Sequence, residues 1–400
     1  MEYKIKENEI DREISYAVLF YNVILMGQFF VRLITNNREG IVSDIIKILS
    51  IVIQGLIFIK PIRYVFRRNY IKILLLYTTT SLIFLINIIM YNRNIDYILK
   101  LIFPFFFMCL PQYIYVISIN NYDVFYEQMR KISKLSAFIG ILLFLSLATG
   151  HYSSEIYSSG ISYYILLPIL IYISDFMNNP KLYSVFILSC LGGALFLIGS
   201  RGPLVSIIIF IILKQFNLRT NNSINFKKII INVFVLFILI LIFLNYRSVL
   251  TYMDSISYKY FGIRSRTINL LLNDINYSSG RDVIIDTLTQ GIKENPIFGL
   301  GLAGDRALMG NPGLYSHNIF LELVSHYGIF IGVMLSVFLL FVVIKSLFVK
   351  NKVYYELVIT WICIGFIPYL FSGSYLKGVD FWIMLALTIN IGINKNSIWN

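Results

Sequence analysis

Charge is what this sequence has least of: only 14% of its 400 residues are Asp, Glu, Lys or Arg, against roughly 25% in soluble domains. A water-soluble surface cannot be built from so little, which excludes a soluble globular domain. Cysteine is also scarce. Cys109, Cys190 and Cys363 are the only three, and all fall inside apolar runs, which excludes a disulfide framework or a cysteine-held metal cluster and leaves packing as their role. Histidine occurs three times and no Asp-x-Asp pair is present, so the carboxylate pair expected to hold a divalent ion beside a phosphate is missing. No internal repeat or low-complexity linker stands out either.

Apolar length is what the chain has in abundance. Hydrophobic residues make up 58% of it, and the mean hydropathy is +0.74. Runs of about 20 apolar residues recur from end to end, each long enough to cross a hydrocarbon core roughly 30 Å thick as a helix. Read against their breaks, the runs predict spans near 14–34, 42–59, 71–91, 97–119, 132–150, 161–178, 182–199, 203–216, 229–246, 328–348, 353–371 and 381–393. Met1 to Glu13 is polar, and the run that follows exceeds a signal peptide's apolar core, so the first span is expected to stay uncleaved.

The net charge of +13 sits mainly in short loops, where it reads as a topology signal and not as a nucleic-acid surface. With the N-terminus in the cytoplasm, 20 of the 34 basic residues fall on the inner side, among them Arg63, Arg67, Arg68, Arg130, Lys131, Lys227 and Lys228. The short outer loops hold seven: Arg32, Arg38, Lys47, Arg93, Lys100, Arg201 and Lys377. The remaining seven lie in one long segment, a class of loop largely exempt from the positive-inside rule. The expectation is an all-α polytopic membrane protein with about 12 transmembrane helices and both termini cytoplasmic. Nine spans occupy 1–246, a large extracytoplasmic loop follows at 247–316, and three spans with a short cytoplasmic tail fill 317–400.

Residues fit for chemistry gather on the expected outer side. Arg201 stands in Gly199-Ser200-Arg201-Gly202-Pro203, a tight break between two apolar runs, where a plain reading is an arginine snorkelling at a helix end. Arg264, Arg266 and Arg281 add guanidiniums on the same side. Several such forks suit a diphosphate, because each binds phosphate oxygens bidentately, although singly each is also an ordinary solvated charge. After a turn at Ser278-Ser279-Gly280, Asp282 to Gly291 reads as an amphipathic helix with Val283, Asp286, Thr287 and Gln290 on one face, ended by Asn295-Pro296. A glycine-rich stretch, Gly299-Leu300-Gly301, then leads to Ser316-His317-Asn318. His317 either caps the helix that follows or works as an imidazole at the mouth of a span. His326, nine residues on, would lie about 180° from it around a helix and so off the same site. His151 has no motif near it. The 29 Tyr and 32 Phe read as lipid-facing and interfacial, with Tyr315 a candidate for stacking on sugars.

Taken together, the Ser200-Arg201-Gly202 break, Ser279-Gly280-Arg281 opening a helix before Glu294-Asn295-Pro296-Ile297-Phe298-Gly299-Leu300-Gly301, and His317-Asn318 leading into a span resemble the O-antigen ligase and polymerase superfamily, over about residues 190–350. The many tyrosines and short tail look more like a Wzy-type repeat-unit polymerase than a ligase, although the motifs overlap and ligase-type transfer of the glycan to another acceptor stays open as the alternative. The resemblance implies metal- and cofactor-free transfer of undecaprenyl-diphosphate-linked oligosaccharides at the outer face of the cytoplasmic membrane, with membrane lipids, a chain-length regulator and a flippase as partners and no nucleic acid. Arg201 and Arg281 match arginines that hold the donor diphosphate, and His317 matches the histidine that engages the acceptor. Arg264 and Arg266 match no aligned position, and Glu294 is a reserve base.

The chemistry is coherent without the resemblance. A glycosyl diphosphate already carries a good leaving group, so preorganised arginines need chiefly to neutralise the charge that develops on it. An imidazole then takes the proton of the attacking hydroxyl. Two other classes remain open: a transporter for lipid-linked oligosaccharides, disfavoured by the near absence of charge within the predicted spans, and a non-catalytic scaffold, which has no need of converging arginines. The orientation is directly testable. Of cysteines introduced at Ser278 and Asn225, a membrane-impermeant thiol reagent on intact cells is expected to modify only the one at 278; the reverse pattern inverts the topology.

Overall fold

The structure is a computed structural model that describes residues 2–35, 41–148, 159–198, 201–215, 246–261, 272 and 281–394. Among the described residues there are helices and no strands. In chain order they are α1 (Glu2–Ile34), α2 (Ile41–Ile59), α3 (Ile62–Met90), α4 (Asn92–Ile117), α5 (Tyr122–Ala148), α6 (Gly160–Asn178), α7 (Leu182–Ile198) and α8 (Arg201–Gln215). There follow α9 (Tyr246–Phe261), α10 (Arg281–Glu294), α11 (Gly304–Met309), α12 (Ile319–Ser346), α13 (Lys352–Leu370) and α14 (Val379–Ile393). Eight of them, α1 to α6 with α12 and α13, are long and apolar enough to cross a membrane, and α7, α8 and α14 are shorter apolar helices. This is a helical membrane protein. The expected span at 229–246 lies outside the described residues except for Tyr246, which opens α9. The Ser278-Ser279-Gly280 turn and His151 also lie outside them.

The chain divides into two compact units. One comprises Met1–Val18, Leu56–Gln128 and Ser278–Asn400; the other comprises Leu19–Gly55 and Met129–Tyr277. In the second unit Met26 and Leu33 of α1, Ala137 and Leu143 of α5, Ile165 and Ile169 of α6, and Leu191 and Leu195 of α7 form a continuous core. Gly140 lets α5 and α7 approach: a Cβ there would stand 2.4 Å from Leu191 Cδ2. Where lipid tails are as apolar as leucine, such small-residue contacts and internal polar bonds hold helices together. Asn22 supplies the polar bonds, accepting from Ser136 Oγ at 2.9 Å and donating to the Tyr164 carbonyl at 3.1 Å. Arg201 opens α8, and Gly202 beside it packs under the Tyr163 hydroxyl with no room for a Cβ, which would lie 2.0 Å away.

In the first unit α13 is the buried centre, with Leu357, Val358, Ile359 and Cys363 fully enclosed, packed on α14, which in turn packs on the end of α4. At the start of α3, Arg68 binds Glu7, the buried Asp11 and, at 2.7 Å, the Ser118 carbonyl. At the far end of α3, Asn87 accepts from Leu302 N at 2.7 Å. Just past it, Asn94 Nδ2 donates to the Leu300 and Leu302 carbonyls at 2.8 and 3.1 Å. These bonds fasten the glycine-rich stretch that carries the candidate site.

α12 is broken where that stretch meets it. Gly328 has φ 78° and ψ 174° inside an otherwise helical segment, and a helix broken in lipid must find other partners for its freed backbone groups. The stretch after α10 supplies them: Leu300 N donates to Ser325 O at 2.7 Å, and Ile329 N donates to Pro296 O at 2.8 Å. The two backbones come so close that a Cβ on Gly328 would sit 2.1 Å from Ile297 O, and one on Gly299, itself at φ 69°, 2.5 Å from Gly328 N. Gly328→Ala is therefore expected to abolish accumulation or lower the melting temperature in detergent sharply, through a backbone clash added to strain of about 1–3 kcal/mol. Gly55→Ala, where a Cβ meets nothing within 4 Å, should leave it unchanged or raise it slightly; thermal melting of the two purified variants makes the comparison.

Candidate functional site

Downstream of the α10 terminus the chain turns through Gly299, Gly301 and Ala303, all at positive φ. It delivers Asp305 and Arg306 of α11 into the interior of the first unit, where each is about 1% exposed or less. Asp305 Oδ1 accepts from Arg306 N and Arg306 Nη1, both at 2.9 Å, and faces His326 Nε2 at 3.1 Å. Its Oδ2 accepts from Ser316 N at 3.2 Å. Arg306 Nη2 donates to Ser374 Oγ at 2.8 Å and lies 3.6 Å from Glu322 Oε1. Glu322 accepts from the Ser374 hydroxyl and, at 3.2 Å, from Tyr375 N. His326 Nδ1 meets the Tyr375 hydroxyl at 2.9 Å, and that hydroxyl pairs with Tyr327 at 3.1 Å. Two carboxylates, one guanidinium and one imidazole thus form a closed buried network. Burial works to raise the Asp305 carboxyl, but His326 and Arg306 beside it hold it well below the usual carboxylate range.

The side chains of Asp305, Glu322 and His326 bring one ligand atom each within 4.8 Å of the others, the spacing of a metal site. The donor set argues otherwise. Each carboxylate oxygen already has a hydrogen-bond donor, and the Arg306 guanidinium stands where a cation would be needed. A buried guanidinium beside the same oxygens supplies the neutralising charge.

His317 sits at the rim of this network. Its φ is 54°, a conformation that a side chain other than glycine rarely adopts. Its ring packs on Tyr315 with centroids 4.0 Å apart, and Arg306 lies over the same tyrosine ring at 5.4 Å. His317 Nδ1 is buried and has no hydrogen-bond partner. Burial first, then the positive charge of Arg281, lower the imidazole pKa to about 4, with Arg306 adding to the effect and the Asp305 carboxylate opposing it. At neutral pH the ring is uncharged. It does not cap α12. Asn318 does, its side chain accepting from Phe320 N and Leu321 N at 3.0 and 3.1 Å.

No family model, curated protein or solved structure matches this chain.

Of the residues singled out in the sequence, His317 and Arg281 come together, the exposed arginine opening α10 and acting on the imidazole by charge. Glu294 does not join them. It is exposed at the opposite end of α10, about 20 Å away at 1.5 Å per residue, and accepts from Gln290 at 3.4 Å. The face of α10 that packs inward carries Ile284, Leu288, Gly291 and Ile292, so Val283, Asp286 and Gln290 stand outward. Arg201 belongs to the second unit, and its side chain lies outside the described residues, as do Arg264 and Arg266 altogether.

Two expectations need correcting. His326 was placed half a turn of helix away from His317, but His317 precedes α12 and is not helical, and both imidazoles border Asp305. His326 is buried in the network. The span placed at 328–348 begins nine residues earlier, which puts Glu322 and His326 inside an apolar helix where charge had seemed almost absent. Residues 305, 306, 322, 326 and 375 were not foreseen as a site. The available signal was Glu322 with His326, one turn apart and bordering a long apolar run. Asp305→Ala takes from the buried Arg306 its closer carboxylate and leaves only Glu322 at 3.6 Å, a loss of up to about 3–5 kcal/mol, and is expected to show a strongly lowered denaturation midpoint. Glu294→Gln should stay within about 0.5 kcal/mol of wild type in the same measurement.

Proposed function

We propose that this protein is a membrane glycosyltransferase that polymerises lipid-diphosphate-linked oligosaccharide repeat units. On this reading the chain crosses the cytoplasmic membrane about twelve times with both termini inside. Residues 247–316 face the exterior, and the partners are undecaprenyl-diphosphate-linked glycans, membrane lipids, a chain-length regulator and a flippase. The observation that carries the reading is the state of His317: an uncharged imidazole on a left-handed backbone, with an unpartnered buried nitrogen and the exposed guanidinium of Arg281 within electrostatic reach. A proton acceptor next to an anion-binding fork is what glycosyl transfer from a diphosphate requires.

The acceptor sugar's hydroxyl oxygen attacks the anomeric carbon of the donor while the bond from that carbon to the diphosphate oxygen breaks. The hydroxyl proton passes to His317, and the lipid diphosphate leaves as an anion whose new charge Arg281 neutralises. Glu294 has no place in this scheme.

Purified protein supplied with lipid-diphosphate-linked repeat units should lengthen the glycans, as seen by sizing them. His317→Ala should slow extension roughly 10²–10⁴-fold, and Arg281→Lys should lose much of the activity because lysine keeps the charge without the fork. An imidazole that remains neutral down to about pH 4 should hold the acid limb of the rate profile well below the 6.5 of free histidine. Full activity in both variants at matched abundance would remove the mechanism.

A transporter for the same lipids is the second reading, favoured by the break in α12 and by Glu322 and His326 within that helix. Against it, the backbone groups freed at the break are bonded to Pro296 and Leu300 and are not open to a substrate. Lipid movement across proteoliposomes without any change in glycan size would select the transporter.

A further inference from the structure

His317 stands between two residues that are each held by hydrogen bonds. On one side Ser316 is buried, its amide donates to Asp305 Oδ2 at 3.2 Å, and its hydroxyl donates to the Asn318 carbonyl at 3.2 Å. On the other side Asn318 caps α12 with its side-chain oxygen and donates through Nδ2 to the Leu370 carbonyl at 3.1 Å. Asp305 is itself immobilised by Arg306 and His326. A residue at φ 54° persists only where its surroundings over-determine it, and here the chain is pinned immediately before and immediately after that residue.

We propose that Asp305 and Asn318 are positioning residues that act together through the backbone, holding His317 in its left-handed conformation so that its free imidazole nitrogen faces the reacting hydroxyl. Neither touches substrate. Asp305 works through the Ser316 amide and Asn318 through the helix cap. The Glu322–Arg306–Ser374 part of the network serves to keep Asp305 still. The catalytic consequence rests on the glycosyl-transfer reading, whereas the conformational claim stands independently of it.

The charged and titratable groups around His317 are Arg281, Asp305, Arg306 and the stacked Tyr315. They separate positioning from mere charge. Removing the negative Asp305 by Asp305→Asn would, through charge alone, lower the imidazole pKa further. Releasing the ring into water would instead raise it toward the free value of about 6.5. The experiment is nitrogen NMR of histidine-labelled full-length protein in detergent, titrated from pH 8 to 4. Its three imidazoles are assigned with His151→Gln and His317→Gln.

In the wild type the His317 signal should stay neutral below pH 5. In Asp305→Asn it should titrate near 6 to 6.5, and glycan extension should fall roughly 10²-fold, the scale of a misplaced catalytic group. Asn318→Ala should move the same signal in the same direction and carries the test if Asp305→Asn does not accumulate. An unchanged or lowered His317 titration in the variant that folds overturns the proposal. If wild-type protein extends no glycan while the titration moves as expected, the functional reading falls and the positioning stands.

Discussion

The site depends on one exchange of backbone hydrogen bonds. At Gly328 the α12 ladder opens, and the stretch that follows α10 closes it again by giving Pro296 O to Ile329 N and taking Ser325 O for Leu300 N. In water the solvent could serve the opened groups; in the interior of a membrane helix bundle each unserved group costs several kcal/mol. The break and the inserted stretch are therefore mutually obligatory. Asn295-Pro296 stops α10 where the stretch must begin, and the glycines at 299 and 328 allow two main chains to touch. Asn87 and Asn94 hold the outer side of the stretch to the α3–α4 corner.

From that anchored stretch the charge arrangement follows. Asp305 and Arg306 reach the buried side of α12 and the Ser374-Tyr375 turn because α11 starts directly after the docked glycines. Two buried carboxylates facing one guanidinium are tolerable only because each oxygen has a donor. The same network spreads outward to Ser316 and so to the backbone of His317. A structural ion cluster and a reactive imidazole are thereby made parts of a single construction, with Arg281 adding its charge from the exposed side.

Much of the helix plan was legible because apolar length is a strong signal in a chain this poor in charge. The start of α12 was not. Glu322, Ser325 and His326 interrupt the apolar run, so the span was begun at Gly328, whereas the Asn318 cap starts it at Ile319. His317 and Arg281 were legible through their local patterns. Asp305 and Arg306 were opaque, since adjacent opposite charges in a long loop look solvated. Their burial arises from contacts with residues 322, 326 and 374, to which no local spacing points. The two histidines are not related by helix geometry for a similar reason, because the chain is helical only after Asn318.

The two stitches at Gly328 also close the chain on itself. Leu300 is bonded to Ser325, and everything that bears on the site within this interval, Asp305, Arg306, Ser316, His317 and Glu322, hangs between those two points. The interval behaves as a cassette: opening the stitch frees its residues together, so local unfolding should be all-or-none and not a gradual fraying. Within the cassette the turn at 311–314, just past the left-handed Gly310 at φ 65°, is mostly exposed. Changes of length or sequence there leave the stitch untouched, which makes that turn the place where the shape of the site's mouth can vary while its buried chemistry stays constant.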